Sequence, residues 1–171
     1  LGSVGPSTNY GRALQEAAAI LVSQGDIGAA NAFFEEHRQV HVDGAELNFA
    51  LHAETLQTLG SIEAESVLSR GISAFPTSTR LLFARANFRE HAGFFDLAEA
   101  DYRRILILNP GDANALNALG YALTNNTDRF QEAAGLLEEA ISKDPRNPAI
   151  IDSLGWVYFK LGKDRQAELL L

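Results

Sequence analysis

The feature that most constrains this chain is the spacing of five alanines. Ala30, Ala64, Ala98, Ala133 and Ala167 follow one another at intervals of 34, 34, 35 and 34 residues, each inside a strongly helix-forming stretch. Four residues beyond each comes a large apolar side chain: Phe34, Leu68, Tyr102, Leu137 and Leu171. Upstream runs a series of small residues at the same period, Ala18, Ala53, Ala86, Gly120 and Gly155. Downstream, Pro76, Pro110 and Pro145 recur, with Val42 in the matching place of the first unit. Several columns sharing one period of this length predict a stack of like helical hairpins.

Each column has a physical reason. Two helices approach closely only where their facing side chains are small, so alanine or glycine marks a crossing. The large residue is expected to fill the space between adjacent hairpins. Proline lacks an amide proton and separates one hairpin from the next. Gly25, Gly93 and Gly162 stand five residues before their alanines, where the turn between helices needs a permissive backbone. Gly60 stands four before Ala64, which predicts a turn one residue shorter in the second unit. In the fourth unit Thr124-Asn125-Asn126-Thr127-Asp128 replaces the glycine turn and adds a residue. Helix pairs are predicted at about 9–24 and 26–39, 44–58 and 61–74, 78–92 and 95–108, 112–125 and 129–143, and 147–161 with 164–171.

These columns resemble the tetratricopeptide repeat, most clearly in Ile151-x2-Leu154-Gly155-x2-Tyr158 followed by Ala167-x3-Leu171. The resemblance implies an all-α fold, an α-α superhelix of about five hairpins with the last truncated and uncapped. Residues 1–8 read as linker, and the repeats run about 9–42, 43–76, 77–110, 111–145 and 146–171. Leu116-Asn117-Ala118-Leu119-Gly120-Tyr121-Ala122-Leu123 and Asp152-Ser153-Leu154-Gly155-Trp156-Val157-Tyr158 are similar to a narrower group. That group is the multi-repeat outer-membrane lipoproteins of proteobacteria, including an adaptor of a periplasmic protease. Leu81-Leu82-Phe83-Ala84-Arg85-Ala86 fits it too. The implied location is the bacterial cell envelope, on the periplasmic side of the outer membrane, with the cytoplasm as the alternative.

Composition narrows the chemistry. No apolar run approaches the roughly 20 residues of a membrane-spanning helix, so no direct membrane insertion is expected. Cysteine is absent, which removes disulfides, thiolate nucleophiles and cysteine zinc sites. A net charge of −8 disfavours nucleic acid as a partner. Methionine is absent as well, so the chain reads as a piece of a longer protein.

No motif of catalysis appears: no nucleophile elbow and no phosphate loop. The expectation is a non-enzymatic chain without cofactor or metal. His37 and His41 have a spacing that two metal ligands can share, but lack the companion glutamate pattern and read as a solvated helix end. His52 and His91 stand alone and read as structural or exposed. Glu35-Glu36 and Glu138-Glu139 read as solvated helix faces. Arg80, Arg85, Arg89, Arg103 and Arg104 form a basic cluster, with Glu90, Glu99 and Asp101 near enough in sequence to pair with them.

In the family the first helix of each hairpin lines an inner, concave surface where peptides lie. The resemblance puts Arg12, Gln15, Ala19, Leu47, Ala50, Glu54 and Gln57 on that surface in the first two units. It also implies a partner-binding groove of Phe83, Asn87, His91, Asn117, Tyr121, Asn125, Asp152, Trp156 and Phe159. Trp156 does not occupy the family's usual tryptophan slot, which here is Ile151. Members that grip a C-terminal carboxylate use lysine and asparagine at fixed inward places. Here those places hold Gln15, Ala50, Phe83, Asn117 and Asp152, so such a clamp is not expected. The implied function is a scaffold or adaptor for a polypeptide partner. Alternatives are the regulatory arm of a larger enzyme, or self-association through the last helix.

Overall fold

A computed structural model describes residues 8–170, and expectations for residues 1–7 and Leu171 lie outside them. Among the described residues there are ten α-helices and no strand. They are α1 Thr8–Gln24, α2 Ile27–Val40, α3 Ala45–Thr58, α4 Glu63–Ala74, α5 Thr79–His91, α6 Phe95–Leu108, α7 Ala113–Asn126, α8 Phe130–Lys143, α9 Pro148–Lys160 and α10 Asp164–Glu168. The chain forms two units, residues 1–88 and 89–171, with the division inside α5.

In the first unit, α1, α2 and α3 enclose a core of Leu14, Leu21, Ala30, Phe34 and Leu51. The alanine column is buried there, with Ala30 and Ala64 fully inside. Phe34 meets the next hairpin as expected, its ring stacked on His52 of α3 at 4.9 Å. Val42 heads a short 3-10 turn, Val42–Gly44, in place of the proline found in later units. Gly44 is buried under the Tyr10 ring, and a Cβ there would overlap it.

In the second unit, Leu116, Ala140 and Ile150 form a core across α7, α8 and α9, flanked by Leu106, Leu136 and Ile141. Ala98, Ala133 and Ala167 are buried, as are Tyr102 and Leu137. Leu137 also fills the notch left by Gly120 of its own hairpin. A Cβ on Gly120 would lie 2.6 Å from Leu137 Cγ and 3.2 Å from the Ala133 carbonyl. The crossing is therefore tight enough to require glycine.

The turns follow from local chemistry. Gly60, Gly93 and Gly162 take φ between 68° and 82°, and each closes its helix in the same way. The amide of the following residue reaches back five positions, Ser61 to Leu56, Phe94 to Arg89 and Lys163 to Tyr158, at 2.8–2.9 Å. The second unit's connection is longer than predicted, four residues from Leu59 to Ile62. Its α4 begins only one residue before Ala64, with the Glu63 amide donating to Ser61 Oγ, whereas α6 and α8 begin three residues before theirs. The missing residue is taken from the helix, not from the turn. In the fourth unit the extra residue lengthens α7 to Asn126. Thr124, Asn126 and Thr127 side chains bond the carbonyls of Gly120, Ala122 and Leu123 four residues back, and the Thr127 amide closes the helix on Leu123. Finally, α10 stops at Glu168 with a turn over Leu169 and Leu170, short of the predicted helix to 171.

Candidate partner-binding face

On α7, Asn117, Tyr121 and Asn125 recur every four residues and share one side, opposite the buried Leu116, Leu119 and Leu123. On α9, Asp152, Trp156 and Phe159 share a side opposite the buried Ile150, Leu154 and Val157. The two helices pack beside each other. Trp156 Nε1 donates to Asn125 Oδ1 at 2.9 Å, joining the two faces. The Phe159 ring stacks on the indole at 5.6 Å and the Lys160 ammonium lies 4.7 Å from its centroid. Trp156 is thus held in one orientation before any partner arrives, which lowers the ordering cost of a contact there.

Around this fixed indole the surface is apolar and open. Tyr121 is 44% exposed and Phe159 55% exposed. Asn117 is half-buried, and its Oδ1 accepts no hydrogen bond. Asp152 is exposed one helical turn before Trp156. Of the residues expected at the groove, Asn125 and Phe159 are each in direct contact with Trp156. Phe83, Asn87 and His91 lie along α5; the first two are half-buried, His91 is exposed, and all three engage other residues of the chain.

In the first unit, α1 and α3 leave a trough of about 360 Å³. Gln15, Ala19 and Glu54 line it, together with Val22, Leu51 and Thr58. Its floor is small and aliphatic, and its rim carries one carboxylate and one amide.

The remaining polar groups are structural. Arg89 and Asp101 form a buried ion pair at 2.7 Å. Arg103 bonds Glu99 and Glu132, and Arg129 bonds the same two acids, a four-membered ring between α6 and α8. These pairs hold each Glu132 and Arg103 charge in place, drawing the Glu132 carboxyl below its usual range through the Arg103 hydrogen bond. Arg85 donates to Ser69. His37 is not a solvated end: its Nδ1 bonds the Phe33 carbonyl, and its ring lies 4.0 Å from that of Phe33.

A polar chain that the sequence did not reveal, buried at His52 and reaching the surface at Glu63, runs through the first unit. Arg38 donates to His52 Nδ1 at 3.3 Å, so His52 Nε2 carries the proton and donates to Asn31 Oδ1 at 2.8 Å. Asn31 in turn donates to Glu63 at 2.7 Å. Burial, and then the Arg38 charge, pull the His52 pKa down to about 4, so the ring is neutral. Its residues come from α2, α3 and α4, too far apart in sequence to be read together.

Among the described residues no group of three or more histidine, aspartate or glutamate side chains is arranged to hold a metal. Among the same residues no helix is long and apolar enough to cross a membrane.

Hairpins with small-residue crossings and glycine-closed first helices define a helical-repeat protein. A tetratricopeptide-repeat family model matches residues 83–148. A TPR repeat-containing protein of Pseudomonas aeruginosa, PA4667, is 31% identical over 169 residues, which is 98% of this chain. The chain spans 29% of that relative's length. Among solved structures, a tetratricopeptide repeat protein from Parabacteroides merdae superposes with a TM-score of 0.76 at 16% identity, covering 94% of this chain and 63% of that one. YrrB, described as a TPR protein with an unusual peptide-binding site, superposes with a TM-score of 0.67 at 18% identity, covering 92% and 80%. The chain belongs to the tetratricopeptide-repeat family.

Proposed function

We propose that this chain is a non-catalytic scaffold that holds a polypeptide partner on the first-helix faces of its hairpins. The observation that carries the reading is the fixed indole of Trp156, flanked by the exposed rings of Phe159 and Tyr121. Aromatic side chains with a restrained orientation make large contacts at low entropic cost and dominate many interfaces. YrrB, of the same fold, is a protein with a peptide-binding site, which supports the class of partner.

The test is affinity. Capture with the full-length protein identifies a partner, and titration then compares wild type with Trp156→Ala and Tyr121→Ala. The expected outcome is at least tenfold weaker binding in each variant, on the order of 1.4 kcal/mol or more. Tyr121 is exposed, so its variant keeps its fold and isolates the contact. Unchanged dissociation constants in both variants would overturn the reading.

The same proposal sets the chain at the bacterial cell envelope, a setting that rests on the resemblance of residues 81–86, 116–123 and 152–158. Fractionation of cells carrying the full-length protein tests it; recovery only in the cytosolic fraction would remove it.

A further inference from the structure

We infer that the α7–α9 face selects an extended segment in which a basic side chain accompanies apolar ones, with Asp152 as the residue that reads the charge. This rests on the scaffold reading above and adds the chemistry of the partner.

The argument is one of where the few charges of these two helices stand. α7, Ala113–Asn126, contains no charged residue. α9, Pro148–Lys160, contains two, Asp152 and Lys160. Lys160 is turned over the Trp156 ring, its ammonium 4.7 Å from the centroid. Asp152 is exposed, one turn from Trp156 on the same side of the helix. A lone carboxylate beside apolar rings repels an acidic segment and pairs with a cation, so it discriminates more than it attracts. Lys160 and Phe159 already cover the Trp156 ring, so a partner cation is left to Asp152 and the exposed Tyr121 ring. An arginine of the partner suits that place, since its guanidinium bonds a carboxylate and stacks on an aromatic ring. Tyr121 and Phe159 then take the apolar side chains next to it.

A display library of random dodecapeptides panned on the folded chain tests this. Selected peptides are expected to be enriched in arginine or lysine beside aromatic or aliphatic residues, and depleted in acids. Panning on Asp152→Asn should keep the apolar enrichment and lose the basic one. A selected peptide should bind Asp152→Asn about fivefold to tenfold more weakly. Because the whole chain is acidic, with a net charge of −8, general attraction must be separated from local reading. Glu139→Gln, an exposed change on α8, is the control, and it should leave affinity within twofold. Equal losses in Asp152→Asn and Glu139→Gln, or apolar peptides without basic residues, would overturn the inference and leave the scaffold reading standing. Selection that is unchanged on Trp156→Ala would sink both, as would no enrichment over bare matrix.

Discussion

Two glycines on facing helices show how strictly side-chain bulk is rationed. Gly120 has Leu137 Cγ and the Ala133 carbonyl against the place a Cβ would occupy, whereas Gly135, one helix later, faces open space. Gly120→Val should therefore cost about 1–3 kcal/mol through overpacking. Gly135→Ala should gain about 0.5–1 kcal/mol from helix propensity. Urea denaturation of both variants measures the pair, and a stabilised Gly120→Val would mean the crossing is looser than described. His52 makes a second residue-level prediction. Its folded pKa of about 4 lies below the ordinary 6.5, so between those values the unfolded chain binds a proton that the folded chain refuses. Stability should thus fall as pH drops from about 6.5 to about 4, by up to about 3 kcal/mol. His52→Gln, measured across the same range by chemical denaturation, should be flatter. An identical slope in wild type and variant would show that His52 titrates normally.

At the level of helices, the Arg89–Asp101 pair fastens the end of α5 to α6. The two side chains are 12% and 5% exposed. Removing one partner leaves the other charge buried, so Asp101→Ala should lose about 3–5 kcal/mol. Asp101→Asn, which keeps a hydrogen-bond acceptor, should lose less, and thermal unfolding orders the two. Equal stability in all three proteins would show that the pair is solvated. Helix ends were legible to within about two residues wherever proline, glycine or an N-cap residue marked them. Asp112 and Asn147 cap α7 and α9 through their side chains, and both helices begin one residue after the predicted start. The start of α4 was not legible, because the apolar Ile62 stands at its N-cap and the side-chain bond to its first amide comes from Ser61, one residue earlier, at 3.2 Å. The 3-10 turn at Val42 was hidden for a related reason: the proline column has a gap, and the compensating contact of Gly44 with Tyr10 spans two helices. Period and size read out locally. Bonds between helices do not, and so the Trp156–Asn125 and His52–Asn31 contacts emerge only from the fold.

For the molecule as a whole, the arginines foreseen as a basic cluster are largely committed within it. Arg89 and Arg103 are paired with acids, which leaves the exposed aromatics of α7 and α9 as the more distinctive surface. Leu169, 81% exposed near the end of α10, offers a different apolar surface. If that residue drove self-association, Leu169→Ser would change the mass seen by light scattering and leave partner affinity alone. The scaffold account instead places the partner against Tyr121. A photo-reactive phenylalanine analogue at position 121 measures this most directly, with the same analogue at Ile107 of α6, 80% exposed, as reference. The account predicts a strong covalent adduct with the partner from position 121 and little from 107. Adducts of equal yield, or from 107 alone, would contradict it.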